Sequence, residues 1–264
     1  MIEVYRGTAV ITSLEMLRFV RDRSRMISSL LFPVLFLVIF GLGFKNVVGD
    51  LVGGIDLIDF MYPGVVAMGA QMTALVAGIS VVQDREAGFL KEILVAPLNR
   101  VGIVLGKAIG VAGVAVLQVL MLLLLAPIVG ADVRATTILE LIPLVVLLSL
   151  GLSGLGILVA SFMKSQQGFQ MLINVLVFPM FFLAGVFFPV DSVPHWMEVL
   201  SKVNPVTYGV DAIRQVFLGA APAGAGLGVT VFGHTMTLAE EVAVLGLFTV
   251  VLTAAAAVAF GRQE

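Results

Sequence analysis

The chain contains no cysteine. Disulfides, thiol nucleophiles and thiolate metal sites are therefore excluded. Histidine is almost as scarce: His195 and His234 are the only two, too far apart in sequence to make a metal site. Charge is thin. Asp, Glu, Lys and Arg make up 12% of the 264 residues, against about 25% in a typical soluble domain. No long polar segment interrupts the sequence, so it holds no sizeable soluble domain. Apolar residues fill the space instead. A 60% hydrophobic content and a mean hydropathy of +1.13 mark an integral membrane protein. The net charge of −2 says little, because the side on which membrane-protein charges lie matters more than their sum.

Apolar runs set the layout. Those over 26–44, 60–82, 101–129, 141–163, 168–188 and 242–260 approach or exceed the ~20 residues that a helix needs to cross the hydrocarbon core. Residues 1–264 thus read as one transmembrane domain of all-α class with six spans. Pro33 is expected to kink the first span. Small residues crowd the fourth, at Ser149, Gly151, Ser153, Gly154 and Gly156. Lys164 to Gln167 reads as a tight inner turn. An uncharged run over 215–239 is long enough to be a seventh span. It holds Pro222 and five glycines, Gly219, Gly224, Gly226, Gly228 and Gly233, a poor composition for a continuous helix. A seventh span would also put the termini on opposite faces. With six, the basic residues sort by side. Arg6, Arg18, Arg21, Arg23, Arg25, Arg85, Lys91, Arg100, Lys164 and Arg262 fall inside, against Lys45, Arg134, Lys202 and Arg214 outside. That asymmetry is the positive-inside pattern and makes both termini cytoplasmic.

Met1 to Arg25 carries Val10, Leu14, Leu17 and Val20 at helical spacing among five arginines. It reads as an amphipathic helix on the cytoplasmic surface. No small-residue cleavage site follows the first apolar run, so it is not read as a cleaved signal peptide. Between the second and third spans, 83–107 is the only internal segment dense in charge. Phe89, Leu90, Ile93 and Leu94 share one side of a helix there, with Arg85, Glu86 and Glu92 mostly off it. Pro97 and Asn99 stop that helix. An amphipathic helix in such a place lies in the lipid interface or docks into a groove on another protein. Lys107 enters the next span by about 9 Å, near enough to snorkel back to the surface.

The outer segment after the fifth span holds two shorter helices. Asp191 to Lys202 is amphipathic, with Trp196 near the interface. Asn204 to Gly219 follows, with Asn204 as cap and Pro205 at the first helical position. Asp211 and Arg214 are three apart and can pair along one face. A structural pairing is favoured over a substrate role.

Two of these stretches carry a family resemblance. Asp84-Arg85-Glu86, Gly88, Leu90-Lys91-Glu92-Ile93-Leu94, Pro97 and Gly106-Lys107 resemble the signature loop of ABC-2 type permeases, the membrane subunits of drug, lipid and polysaccharide exporters. The Asn204-Pro205-x-Thr207-Tyr208, Asp211-Ala212-x-Arg214 and Leu218-Gly219 pattern is similar to a second motif of that family, and Arg21-Asp22-Arg23 before the first span also resembles it. The resemblance implies that Asp84, Arg85, Glu86, Gly88, Phe89, Leu90, Glu92, Ile93 and Leu94 couple to a separate ATPase subunit. It implies that the two outer helices, with Asn204, Pro205, Tyr208, Asp211 and Arg214, dip into the outer leaflet without crossing it. It also implies a dimer with a second copy or a homologous permease, in the inner or plasma membrane.

Chemistry of its own is missing. Gly102 to Ala108 falls one residue short of a P-loop, lacks its hydroxyl, and lies in a membrane helix. Gly102, Gly106 and Gly110 read better as a close helix-packing face. No cofactor is expected in this chain, ATP and Mg belonging to the partner ATPase, and no nucleic-acid partner is expected. Gln71, Gln118, Gln170 and Asn174 are the polar residues within spans. They either face a pathway or bond between helices. The aromatic cluster Phe178, Phe181, Phe182, Phe187 and Phe188 suits an amphiphilic cargo and equally suits lipid-facing packing. The expected function is therefore the permease subunit of an ATP-driven exporter. An ion-gradient-driven secondary transporter is the alternative, and it would call for inverted repeats and ionisable residues at mid-membrane. A non-transporting scaffold that recruits an ATPase is a third possibility.

Overall fold

The computed structural model of the chain describes residues 2–43, 57–87, 100–131, 133–219, 228–231 and 233–261. Helix α1 (Ile2–Arg21) leads, and Asp22 separates it from α2 (Arg23–Phe36), which runs on as a π-helical stretch over Leu37–Leu42. α3 (Leu57–Leu75) and α4 (Ala77–Glu86) are interrupted only at Val76. α5 (Arg100–Val129), α6 (Ala135–Phe162) and α7 (Gln166–Phe182) follow. Then come a 3-10 turn (Val190–Ser192), α8 (His195–Val203) and α9 (Pro205–Leu218). A hairpin of β1 (Thr230–Val231) and β2 (His234–Thr235) precedes α10 (Leu238–Gly261).

Residues 57–86, 102–128, 136–162 and 238–261 form four helices long and apolar enough to cross a membrane. The α1–α2 pair, bent by 71°, makes a fifth if it is one span. α7 is apolar, but its 17 residues cover only about 25 Å.

Several boundaries move from the sequence reading. The first span's helix starts at Arg23, not Met26, and its sharp bend falls at Asp22 rather than at Pro33. Pro33 acts differently. It lacks the N–H that would bond the Ser29 carbonyl one turn back, and Gln118 Nε2 donates to that carbonyl instead, at 2.9 Å. α6 begins at Ala135, so Glu140 is helical rather than part of the outer connection. α7 stops at Phe182, short of Phe188. The Leu183 and Ala184 amides turn back to the Pro179 and Phe181 carbonyls, and Gly185 then takes φ 74°, which no α-helix continues through. The amphipathic helix expected from Asp191 begins only at His195, after Pro194. α10 starts at Leu238 on a capping box: Thr237 Oγ1 accepts from the Glu240 amide at 3.5 Å, and Glu240 Oε2 accepts from the Thr237 amide at 2.8 Å. The small hairpin is the one described departure from an all-α fold.

α3 is the central post, with Phe60, Val65, Ala67, Met68 and Ala70 fully buried. α10 packs along α6, where Thr249 Oγ1 donates to the Leu147 carbonyl at 3.1 Å. α4 crosses α6 at two glycines. A Cβ on Gly78 would stand 2.3 Å from the Gly156 carbonyl oxygen, and one on Gly156 would stand 2.6 Å from that of Leu75. Only paired glycines allow backbones so close.

α1 does not stand apart on a surface. It lies along the first turns of α5 in parallel, and Thr8 and Thr12 Oγ1 donate to the Gly102 and Gly106 carbonyls at 3.2 and 3.1 Å. A Cβ on Gly106 would meet Ile11 Cβ at 2.8 Å, and one on Gly110 would meet Glu15 Cβ at the same distance. These glycines form the packing face that their spacing suggested. The apolar stripe of Val10, Leu14, Leu17 and Val20 points outward and is exposed.

Candidate functional site

Asp84, Arg85 and Glu86 occupy the last turn of α4, continuing the helix that began in the apolar run. They are not the start of a separate helix, as the sequence suggested. Gly88, Phe89, Leu90, Glu92, Ile93 and Leu94 lie outside the described residues. The three described residues point to different neighbours. Arg85 donates to the Met163 carbonyl at 2.5 Å, and Glu86 Oε1 accepts from the Gln166 amide at 2.9 Å. Both thereby hold the α6–α7 turn, where Ser165 Oγ caps α7 through the Gly168 amide at 3.2 Å.

Asp84 turns inward. Its Oδ2 accepts from Lys107 Nζ at 2.8 Å, and Ser80 Oγ accepts from the same ammonium at 2.8 Å. Glu15 of α1 stands 3.5 Å from it on a third side. Lys107 is only 2% exposed. Its ammonium does not snorkel to the surface, because Asp84, Ser80 and Glu15 offer it partners nearer at hand. Arg18 approaches Glu15 from the rim at 3.7 Å. A cavity of about 650 Å³ opens beside this cluster, with Glu15, Arg18, Asp22, Gln83, Asp84 and Gln166 in its walls.

On the other side of the molecule the Asn204 motif knits two helix ends. Asn204 Oδ1 accepts from the Val206 amide at 3.1 Å and caps α9, with Pro205 at the first position. Its Nδ2 donates to the Met180 carbonyl at 2.6 Å, one of the acceptors that the end of α7 leaves over. Tyr208 Oη donates to the Lys202 carbonyl at 2.6 Å and so ties α9 to α8. Asp211 and Arg214 are both 1% exposed and lie 3.6 Å apart. The guanidinium also donates to the Gly185 carbonyl at 2.5 Å and sits 4.3 Å above the Phe60 ring. Asp211 Oδ2 accepts from the Val229 amide at 2.9 Å, and Asp191 Oδ2 from that of Thr230 at 3.0 Å. Two carboxylates thus pin the hairpin.

Lys202 bridges Asp191, at 3.1 Å, and Glu198. The hydrogen bond from Lys202 holds the Glu198 carboxyl below its ordinary 4.5, and His195 adds to this. Partial burial pulls Lys202 down, but its bonds to Glu198 and Asp191 outweigh that and keep the ammonium above its ordinary 10.5. A depressed acid contributes stability that is present above its unfolded value and is lost as pH falls through the folded one. A raised base contributes stability that is present below its unfolded value and is lost as pH climbs through the folded one. The clasp is therefore intact from 4.5 to 10.5. Trp196, the single tryptophan, lies on the same helix and is exposed. Its emission is expected to stay constant through that window and to shift below and above it. In Lys202→Met the high-pH shift should disappear and the low-pH shift should shrink to the part that His195 supplies.

A family profile described as ABC-2 type transporter matches residues 6–218. The chain belongs to that family. The match runs from α1 to the last residue of α9. Among curated relatives, a putative transport permease ycf38 of Cyanophora paradoxa is 29% identical over 197 residues, covering 73% of this chain and 67% of its own. A probable multidrug ABC transporter permease, YbhR, of Escherichia coli K12 is 32% identical over 162 residues, or 60% of this chain and 44% of its own. Nodulation protein J of Rhizobium leguminosarum bv. trifolii is 28% identical over 189 residues, 71% of either chain. The chain thus spans less than half the length of the Escherichia coli relative.

This ABC-2 permease also carries a groove of about 320 Å³ between α2, α7 and the α3–α4 junction. Its walls are mainly apolar, with Phe32, Met72 and Phe178, and Ser28, Ser29, Gln170 and Asn174 supply polar points. Of the four polar residues noted within spans, Gln170 and Asn174 are therefore brought to this groove. Gln71 and Gln118 are fully buried elsewhere: Gln71 Nε2 donates to the Val177 carbonyl at 3.4 Å, and Gln118 bonds Ser29 and Thr73. The aromatic cluster divides in the same way. Phe181 is buried against Phe36 and Phe187, with ring centroids 5.6 and 5.4 Å away, while Phe178 lines the groove. Sequence reasoning missed Glu15 and Ser80 as partners of Lys107. It also missed Glu241, fully buried at the start of α10, whose Oε2 accepts from Gln215 at 3.0 Å.

Proposed function

We propose that this chain is the transmembrane permease subunit of an ATP-driven ABC exporter. It forms half of a path for an amphiphilic, lipid-linked or drug-like substrate, and a second copy or a homologous permease forms the other half. A separate ATPase subunit, with its ATP and Mg, docks at 84–94 on the cytoplasmic side of the cell membrane. Counting α2 and α7 beside the four long helices gives six spans and keeps both termini on that side. The three relatives' names, a transport permease, a multidrug ABC transporter permease and a nodulation protein, agree with a transport role and leave the cargo open.

A shared wall carries this reading. Val76 and Ile79 line both the groove and the inner cavity, and the Asp84–Glu86 turn lies on the same helix about 12 Å below Val76. Closure of an ATPase pair against that end of α4 would shift the groove wall as a rigid body. The test is co-purification in detergent with the neighbouring ATPase. A stoichiometric ATPase is expected with the parent chain, and Glu86→Ala with Leu90→Ala should remove both the ATPase and transport. A chain that purifies alone and works on a proton or sodium gradient would instead establish the secondary transporter.

A further inference from the structure

We propose that Lys107 is a positioning residue that locks α1 to α4, so that the N-terminal helix moves with the ATPase-coupling segment. The inference rests on the ATP-driven reading above. Lys107 belongs to α5, yet its ammonium is shared between Asp84 and Ser80 of α4 and Glu15 of α1. One cation therefore sits between two carboxylates from two other helices, with Arg18 at the rim completing the charge balance.

α1 and α5 do not need this ion cluster to stay together. The Thr8 and Thr12 hydroxyls and the Gly106 and Gly110 contacts already fasten them. α4 is fastened to a different neighbour, α6, through Gly78 and Gly156. The Lys107 cluster ties the α1–α5 pair directly to α4. The tie continues onward. α1 passes through Asp22 into α2, where the Met26 amide bonds back to the Asp22 carbonyl at 3.0 Å. Ser28, Ser29 and Phe32 of α2 form the groove wall opposite α4. A push on the end of α4 thus reaches both walls of the groove, one directly and one by way of Lys107.

The absence of cysteine makes the test direct, since spin labels will attach only where cysteine is introduced. Exposed Ser13 on α1 and Gln83 on α4 are each paired with exposed Val203 on α8, near the opposite end of the molecule from Gln83. Distances are read in the complex with the ATPase, with and without ADP–vanadate. In the parent both pairs are expected to shift together. In Lys107→Met the Gln83 pair still shifts, the Ser13 shift falls about threefold or more, and Lys107→Arg restores it. Loss of folding cannot mimic this, because α4 must still respond. Should Lys107→Met not fold, Glu15→Leu removes the acceptor of the α1 arm alone and leaves the ammonium on Asp84 and Ser80, and the same loss is expected. If α1 still follows α4 in these variants, the lock is wrong. If the parent hydrolyses ATP but neither pair shifts, the ATP-driven reading falls, and the Lys107 lock with it.

Discussion

Arg214→Ala is expected to cost this protein about 3–5 kcal/mol, the usual penalty for removing one partner of a buried ion pair. Arg214 and Asp211 are each 1% exposed, so no water can take over from the lost guanidinium. The Gly185 carbonyl would lose its donor, and the Phe60 ring its cation. Asp211, beside fully buried Glu241, would lose its cationic partner and keep the Val229 amide. Lysine should not rescue the site. A single ammonium cannot reach the Gly185 carbonyl and Asp211 and also lie flat over the ring, as a planar fork does. The measurement is survival of monodisperse, detergent-solubilised protein after heating, with Asp211→Asn/Arg214→Gln as the control. Because that pair removes both charges together, its loss should be smaller than that of Arg214→Ala alone. An Arg214→Ala protein as heat-stable as the parent would show that the pair is not the joint described here.

The second large effect is steric. Gly156→Ala should lose about 1–3 kcal/mol, and Gly78→Ala a similar amount, since the added methyl meets backbone rather than a side chain that can turn away. At Gly156 the obstacle is the Leu75 carbonyl, 2.6 Å off. At Gly78 it is the Gly156 carbonyl at 2.3 Å, with the Phe169 ring at 2.5 Å behind it. The helices can relieve this only by moving apart, and the one that moves carries Asp84 to Glu86 at its end. Stability and ATPase retention should therefore fall together. Gly246 on α10 is the matched control. A Cβ there meets nothing within 4 Å, so Gly246→Ala should be neutral or stabilise by about 0.5–1 kcal/mol through helix propensity. Equal effects at all three positions would mean that the α4–α6 crossing is looser than its geometry.

Local chemistry was the legible part of the sequence. Asn204 and Pro205 announce a helix start because a cap and its first position act within three residues. The Asp211–Arg214 spacing is likewise a one-turn relation. The Thr237-to-Glu240 capping box belongs to the same class and was there to be read. Pairings across long separations were not legible. Nothing in the order of residues says that Gln118 reaches the carbonyl left over by Pro33, or that Glu15 finds Lys107. Depth along a span follows from the rise per residue, but the direction in which Lys107 points depends on which helices stand beside it, and those were unknown. Span limits failed where polar residues were helical after all, at Glu140 and Glu241. They also failed where apolar residues left the helix, from Leu183 to Phe188. The charged turn at Asp84 was misplaced for the same reason: hydropathy ends before the helix does.

The parallel seating of α1 on α5 also bears on biosynthesis. Thr8 and Thr12 each bond a carbonyl 94 residues further along the chain. At about 5–20 residues per second, roughly 5–20 s of translation separate the first helix from the surface that receives it. Through that interval the Gly102 and Gly106 carbonyls that Thr8 and Thr12 bond have not yet been made. α1 is thus seated only once α5 has been made. A slowed ribosome between 22 and 100 should lengthen the time during which α1 is open to other company.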